Sequence, residues 1–438
     1  MKKEAVKKNA PHLVVATWGS FGDVHPYLAI AQEWQRRGGC ATVATCEMYR
    51  VAVENAGLDF RAIRPDLPDT SQNSEFYQRV LDPVSGGARY LLRETWGKHA
   101  RESYDDLYAA THDADVFFSH SMCVVAPLVA AKRAKNMRWV SGIVSPMFLQ
   151  SAYEAPSLPF VPQLADVPLV GRIASRAWNA WLQRWLYEPL QPIEDLRHVL
   201  NLPRGQHPLF HDAHSPHRVL ALWSKTFANA QPDWPSQARV VGFCHFDRSQ
   251  RTSKNATSST RIEEFLSNGD APILFTLGAS SALDAGHFWR ESLASVKALK
   301  GRAIFVVGVA PQNWPNELRD LPPEVLAIEY APLSQIVSRC SAVVHHGGVG
   351  TLAQCLEAGV PSLIMPHSQD QPDNAWRAHK MGVARLLSRR NYTAPRVVGL
   401  LQTLLQSAKI RHRVLEVQRA MQNEHGAQTA YDWLEREL

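Results

Sequence analysis

Between residues 341 and 358 an apolar run, Ser341-Ala342-Val343-Val344-His345, passes directly into His346-Gly347-Gly348-Val349-Gly350-Thr351 and then into a helical pattern carried by Leu352, Leu356 and Ala358. A short apolar run of this kind suits a strand covered on both faces, as in a parallel sheet. A glycine-rich turn between strand and helix leaves backbone N–H groups free. It also puts the positive end of the helix dipole where an anion can sit. Glycines there let the main chain approach such an anion with no Cβ in the way. No Lys follows them and their spacing is not G-x-G-x-x-G, so neither a Walker A loop nor a dinucleotide fingerprint is present. Taken alone, the stretch also reads as a plain tight turn between a strand and a helix.

The same grammar appears near the start of the chain. Leu13–Thr17 is an apolar run ending in Trp18-Gly19-Ser20-Phe21-Gly22-Asp23-Val24-His25-Pro26, and a helical pattern follows through Tyr27, Leu28, Ile30, Ala31 and Trp34. Strand, glycine turn and helix, occurring twice, predict an α/β protein of doubly wound parallel sheets with ligands at the carboxyl ends of the strands. Further strands are expected at Ala41–Thr45, Val116–Ser119 and Arg138–Ile143, and an irregular loop from Asp66 to Gly87 leads to a helix near Arg89–Thr111. Residues 155–205 break the rhythm: four prolines precede a helical pattern bearing Trp178, Trp181 and Trp185, with Arg172, Arg176 and Arg184 nearby. That helix packs its aromatic face on its own domain, or walls a binding site, or meets a membrane surface.

Residues 247–261 (DRSQRTSKNATSSTR) are polar and poor in apolar residues, which predicts a linker. After it the α/β pattern restarts, with strands expected at Pro272–Leu277, Ala303–Val307 and Val325–Glu329. The division that follows is a first domain over 1–246, the linker, a second domain over 262–415, and a final segment, 416–438.

A chain of 438 residues with 45% hydrophobic and 20% charged residues has an ordinary globular composition. Its formal charge of +6 is mild, and Lys2, Lys3, Lys7 and Lys8 lie ahead of Pro11 with no basic run elsewhere, which argues against nucleic-acid binding. Six scattered cysteines without a C-x-x-C pair suit free thiols in a reducing cytoplasm. No signal-peptide pattern and no apolar run of transmembrane length are present in the sequence. A cytoplasmic protein is therefore expected, stationed at the inner membrane surface if the tryptophan face meets lipid.

Four pieces occur in order over the central stretch: Tyr330-Ala331-Pro332-Leu333, His346-Gly347-Gly348 with Gly350-Thr351, Gly359-Val360-Pro361, and Asp370-Gln371 with Asn374-Ala375. Together they resemble the donor-binding signature of family 1 nucleotide-sugar glycosyltransferases, enzymes of the two-domain GT-B fold. The resemblance implies two Rossmann-like domains facing a cleft, with the last helix crossing back to the first domain. It implies Tyr330 against the nucleobase and His346 with Gly348, Gly350 and Thr351 around the diphosphate. Asp370 and Gln371 would bond the sugar hydroxyls, and Ser280, in the Gly278-Ala279-Ser280-Ser281 loop, would supply a second phosphate contact. One position departs: Gln354 stands where most members carry a ribose-binding Glu. Asp233-Trp234-Pro235, Gly242-Phe243 and Phe246-Asp247 most resemble the rhamnosyltransferases of rhamnolipid synthesis.

Glycosyl transfer needs a base for the acceptor hydroxyl. Asp23 matches the position of the family's base, and an Asp after a turn also suits a helix cap. His25 competes two residues on, where it could face solvent. His120 is the expected partner of Asp23, with an Asp–His hydrogen bond orienting the base. Asp113-Ala114-Asp115 has a D-x-D spacing but precedes a strand, so it reads as surface, and neither a metal nor another cofactor is expected. The expectation is an inverting hexosyltransferase using a uridine or thymidine diphosphate sugar and a hydrophobic acceptor. The alternatives are a nucleotide-sugar 2-epimerase on the same fold, or an activator subunit that has lost catalysis.

Overall fold

The computed structural model describes residues 10–68, 74–82, 86–154, 157, 170–246 and 255–438. Two parallel sheets form the frame. The first contains β1 (His12–Ala16), β2 (Cys40–Thr45), β3 (Asp59–Ala62), β4 (Val116–His120), β5 (Arg138–Ile143), β6 (Val219–Ala221) and β7 (Ala238–Val240), in the order β3-β2-β1-β4-β5-β6-β7. The second contains β8 (Ile273–Thr276), β9 (Ala303–Val306), β10 (Val325–Ile328), β11 (Ala342–His345), β12 (Ser362–Ile364) and β13 (Ala384–Leu386), in the order β10-β9-β8-β11-β12-β13. The central strands are fully buried because helices cover both faces, which is why their sequences are continuously apolar.

In each sheet the order in which strands are added reverses between two parallel neighbours, β1 with β4 and β8 with β11. Loops from such a pair leave toward opposite sides and open a crevice at the carboxyl ends. The registers fix which loops meet. Ala16 lies opposite Ser119, so the glycine turn after β1 emerges beside His120. His345 lies opposite Thr276, so Gly278 emerges beside His346.

The structure departs from the expected elements in several places. A helix, Asn255–Ser267, occupies the second half of the expected linker; residues 247–254 lie outside the described residues. The loop expected from Asp66 to Gly87 contains the helix Ser74–Leu81. β6, β7, β12 and β13 were not expected, and at three residues each they are too short to carry a periodic pattern. The Pro-rich segment lies outside the described residues except for Ser157.

Helix Ala408–Met421 packs on the second domain through Ile410, Val414 and Val417. After it the chain crosses to the first domain, where helix Gly426–Glu435 inserts Ala430, Tyr431 and Leu434 into that core. Tyr431 meets Trp34 of the first helix with ring centroids 5.3 Å apart. All six cysteines are free.

Candidate active site

Asp23 sits in the first turn of helix Phe21–Arg36, whose N-cap is Ser20. The Ser20 amide donates to Asp23 Oδ2 at 2.7 Å and the Ser20 hydroxyl donates to the same oxygen at 2.9 Å. The hydroxyl also accepts from Gly22 N, which makes a reciprocal capping box. The carboxylate is thus held by one oxygen, Oδ2, and among the described residues Oδ1 has no hydrogen-bond partner. Gly19 makes this possible. Its φ is +129°, and a Cβ there would stand 2.4 Å from Asp23 Oδ2.

The turn is held from three sides. Tyr49 Oη donates to Gly19 O at 2.7 Å and Trp18 Nε1 donates to Pro65 O at 2.6 Å. The third tie is His120, whose Nδ1 donates to Trp18 O at 3.0 Å while Nε2 is buried without a partner. No hydrogen bond joins His120 to Asp23, which corrects the expected pair. The imidazole braces the loop that carries Asp23, and burial holds its pKa below the usual value. His25 is half-buried, with Nε2 inaccessible. It lies between Phe21 and Phe246, with ring centroids 5.2 and 5.3 Å away, on the wall of a cavity between the domains.

That cavity, of about 60 Å³, is closed from the second domain by Val349, Gly350, Ala353 and Gln354. Gln354 Oε1 is buried and unpartnered. Helix Val349–Ala358 begins at Gly348 with no side-chain cap, so the first-turn N–H groups, Thr351 among them, are left for a ligand. Gly347, at φ +93°, takes its turn because its N–H donates to His345 Nδ1 at 3.1 Å, and a Cβ there would meet Gln371 O at 3.0 Å. At Gly348 a Cβ would strike the His346 ring at 2.4 Å. The ring lies over this turn and beside Gly278, with Nδ1 buried and unpartnered. Burial lowers the His346 pKa to about 4, so it meets an anion as a neutral hydrogen-bond donor.

Asp370 is the N-cap residue of helix Gln371–Lys380 and accepts from Asn374 Nδ2 at 2.7 Å. Burial, and then the charge of Asp23, push its pKa up to about 7. The two carboxylates therefore sense each other across the cleft. Tyr330 stands just beyond β10 and is 37% exposed.

The chain's likeness to known proteins agrees with this geometry. The family model "Erythromycin biosynthesis protein CIII-like, C-terminal domain" matches residues 291–429. The chain is 26% identical over 429 residues to O-mycaminosyltylonolide 6-deoxyallosyltransferase of Streptomyces fradiae, covering 95% of each. It is 24% identical over 447 residues to Sterol 3-beta-glucosyltransferase UGT80B1 of Arabidopsis thaliana, covering 98% of this chain and 69% of that one. The solved structure of glycosyltransferase VinC in complex with DTDP matches with a TM-score of 0.64 at 15% identity, over 97% of this chain and 99% of that one. The chain is a glycosyltransferase. Its fold is GT-B, two Rossmann-like domains built on parallel sheets.

Within the glycosyltransferase, Gln371 departs from its expected place at the sugar. Its Oε1 accepts from His367 N at 2.9 Å and Ser368 N at 3.3 Å, and its Nε2 donates to Ser281 Oγ at 3.3 Å. The amide staples two site loops together. Ser280 belongs to the short helix Gly278–Ser281, and its side chain lies outside the described residues. His367, which no motif marked, is 4% exposed with both ring nitrogens unpartnered. Burial, with Arg389 and His346 nearby, lowers its pKa to about 3. Only its place three residues before Asp370 pointed to it.

Among the described residues no cluster of His, Cys, Asp or Glu is arranged to hold a metal ion. Asp113 pairs with Arg61 at 2.6 Å and Asp115 accepts from His12 N at 2.8 Å, so the D-x-D residues serve the surface of the first sheet. On helix Gly171–Tyr187 the buried positions are Gly171, Ser175, Asn179, Leu182 and Leu186. The three indoles stack along its flank, 4.8 Å between Trp178 and Trp181 and 5.6 Å between Trp181 and Trp185. Trp181 is 49% exposed.

Proposed function

We propose that the enzyme inverts the anomeric centre as it moves a deoxyhexose, with rhamnose the sugar we favour, from a thymidine diphosphate donor to a hydroxyl of a hydrophobic acceptor. The observation that carries the reading is the Asp23 carboxylate, fixed through Oδ2 and close enough to Asp370 to raise its pKa, on a turn whose Gly22 lines the same cavity as Val349 and Gly350 of the uncapped helix end. Asp23 Oδ1 takes the proton of the acceptor hydroxyl as its oxygen attacks the anomeric carbon from the face opposite the diphosphate. The anomeric C–O bond breaks, and its electron pair leaves with the nucleoside diphosphate. First-turn N–H groups and His346 stabilise the charge that develops there. Asp370 and Asn374 hold the sugar hydroxyls, Gln371 shapes their loop, and Tyr330 lies against the base. No metal is needed, because the helix end balances the diphosphate.

The hydrophobic acceptor is supported by relatives named for O-mycaminosyltylonolide and for sterol. The thymidine donor is supported by the solved relative with bound DTDP. It is also supported by Gln354, which offers a 2′,3′-diol one neutral acceptor oxygen where a Glu would offer a charged pair. Trp181 and the acid-free, arginine-bearing helix around it support a peripheral contact with anionic lipid at the site of such an acceptor.

The test is a panel of thymidine and uridine diphosphate sugars against lipid and polyketide acceptors, read by mass and run with and without EDTA. Transfer from thymidine donors at full rate in EDTA is expected. A strict Mg²⁺ or Mn²⁺ requirement, or turnover of donor with no acceptor at all, would overturn it. Calorimetry of both nucleotides with wild type and Gln354→Glu isolates the donor question. Tighter uridine diphosphate binding by wild type would sink the thymidine assignment.

A further inference from the structure

Asp373 and Arg377 lie on the helix that Asp370 begins, yet they bind the other domain. Arg377 Nε donates to Asp373 Oδ2 at 2.7 Å, and both residues are buried, 5% and 1% exposed. From the first domain, Glu154 Oε2 lies 2.7 Å from Arg377 Nη1, and Ser157 N donates to Asp373 Oδ1 at 3.0 Å. These partners are 223 and 216 residues apart in sequence, so the cluster is complete only with the two domains together.

We propose that Glu154, Asp373 and Arg377 are positioning residues that register the acceptor side of the cleft to the helix reading the donor sugar. This rests on the reading of Asp370 and Asn374 as the donor-sugar contacts. Pairs 370/374 and 373/377 occupy adjacent faces of one rigid helix. The first face is tied to the phosphate turn, since Asn374 Nδ2 also donates to Gly347 O at 3.1 Å. The second face holds the segment that follows β5. That segment is anchored in its own domain by Asp233, which accepts from Ser151 Oγ at 2.6 Å and Ala152 N at 2.7 Å. It continues to the tryptophan helix, where Gln183 Nε2 donates to Gln150 Oε1 at 2.7 Å and Asn179 Nδ2 donates to Ser151 O at 3.3 Å. A shift of the donor helix is therefore passed to the helix bearing Trp178, Trp181 and Trp185. A buried guanidinium that loses one of its two carboxylates is left partly uncompensated, which makes the registration sensitive to a single charge.

Glu154→Gln tests this, because the change keeps the side chain's shape and lies on a partly exposed residue that does not touch the donor loops. Acceptor KM should rise about 10-fold, the worth of one charge-assisted contact. Thymidine diphosphate affinity should stay within about twofold, and the ratio of donor hydrolysis to transfer should rise. Glu154→Asp should recover part of the loss. An unchanged acceptor KM and hydrolysis ratio would overturn the proposal, as would a nucleotide affinity that falls in step with acceptor binding. Wild type assayed alongside separates the two readings. Failure of wild type to transfer sugar removes the proposed function, whereas normal transfer with an indifferent Glu154→Gln removes only the registration.

Discussion

At Asp23 the two Ser20 donors converge on Oδ2, so the helix cap uses one carboxylate oxygen and leaves the other for the base role proposed above. Asp23→Asn retains an oxygen for the cap, at a cost within about 1 kcal/mol of stability. Transfer is expected to drop by about 10²–10⁴-fold in initial-rate assays while calorimetric nucleotide binding holds. At Asp370 the raised pKa, about 7 against an ordinary 3.8, has a consequence for stability. Between those values the native protein keeps a proton that the unfolded chain has lost, so this residue's contribution falls as pH rises and is lowest above about 7. Asp370→Asn removes that dependence. Its melting temperature should exceed that of wild type by a margin that is smallest near pH 4, grows toward pH 7 and is level beyond. Scanning calorimetry across that range checks it, and a margin that shrinks as pH rises would contradict the account.

Among the elements, the helix Gly171–Tyr187 raises a question its own sequence left open. Its fully buried positions are small residues and leucines, while the tryptophans stack along its flank, Trp185 half-buried against the first core and Trp181 exposed. Arg172, Arg176 and Arg184 are exposed on a helix with no acidic residue. Replacing Trp178, Trp181 and Trp185 with Ser should leave the circular dichroism spectrum in place and abolish sedimentation with anionic vesicles. Loss of folded structure in that variant would instead mark the indoles as structural. The helix Val349–Ala358 shows the opposite case, where the proposed phosphate contact comes from main chain, since no side chain caps its first turn.

At the scale of the molecule, the last helix makes the first domain depend on the far end of the chain. Ala430, Tyr431 and Leu434 complete the first core, and Arg37 and Arg218 each reach acidic residues of this segment at 3.2 Å. Removing residues 426–438 takes two large side chains from that core, worth about 3–5 kcal/mol. The first domain's denaturant transition should move to lower concentration with the second domain's little changed. Equal shifts in both would show that the domains unfold as one unit.

Much of this protein could be read locally. A strand buried on both faces must be apolar and a turn against a phosphate must be glycine-rich, so β1, β11, their turns and the positions of Asp23 and His346 are legible from neighbours in sequence. The three-residue strands were not, because their place comes from the adjoining strand and not from any pattern of their own. Side-chain partners also lay beyond reach. His120 turned to Trp18 O instead of Asp23, Gln371 spent its amide on Ser281 and the 367–368 amides, and Glu154 met Arg377 across the cleft. Residue type states what a polar group can bond. Which partner it takes depends on what the fold brings within about 3 Å once water is excluded, and only the tertiary structure decides that.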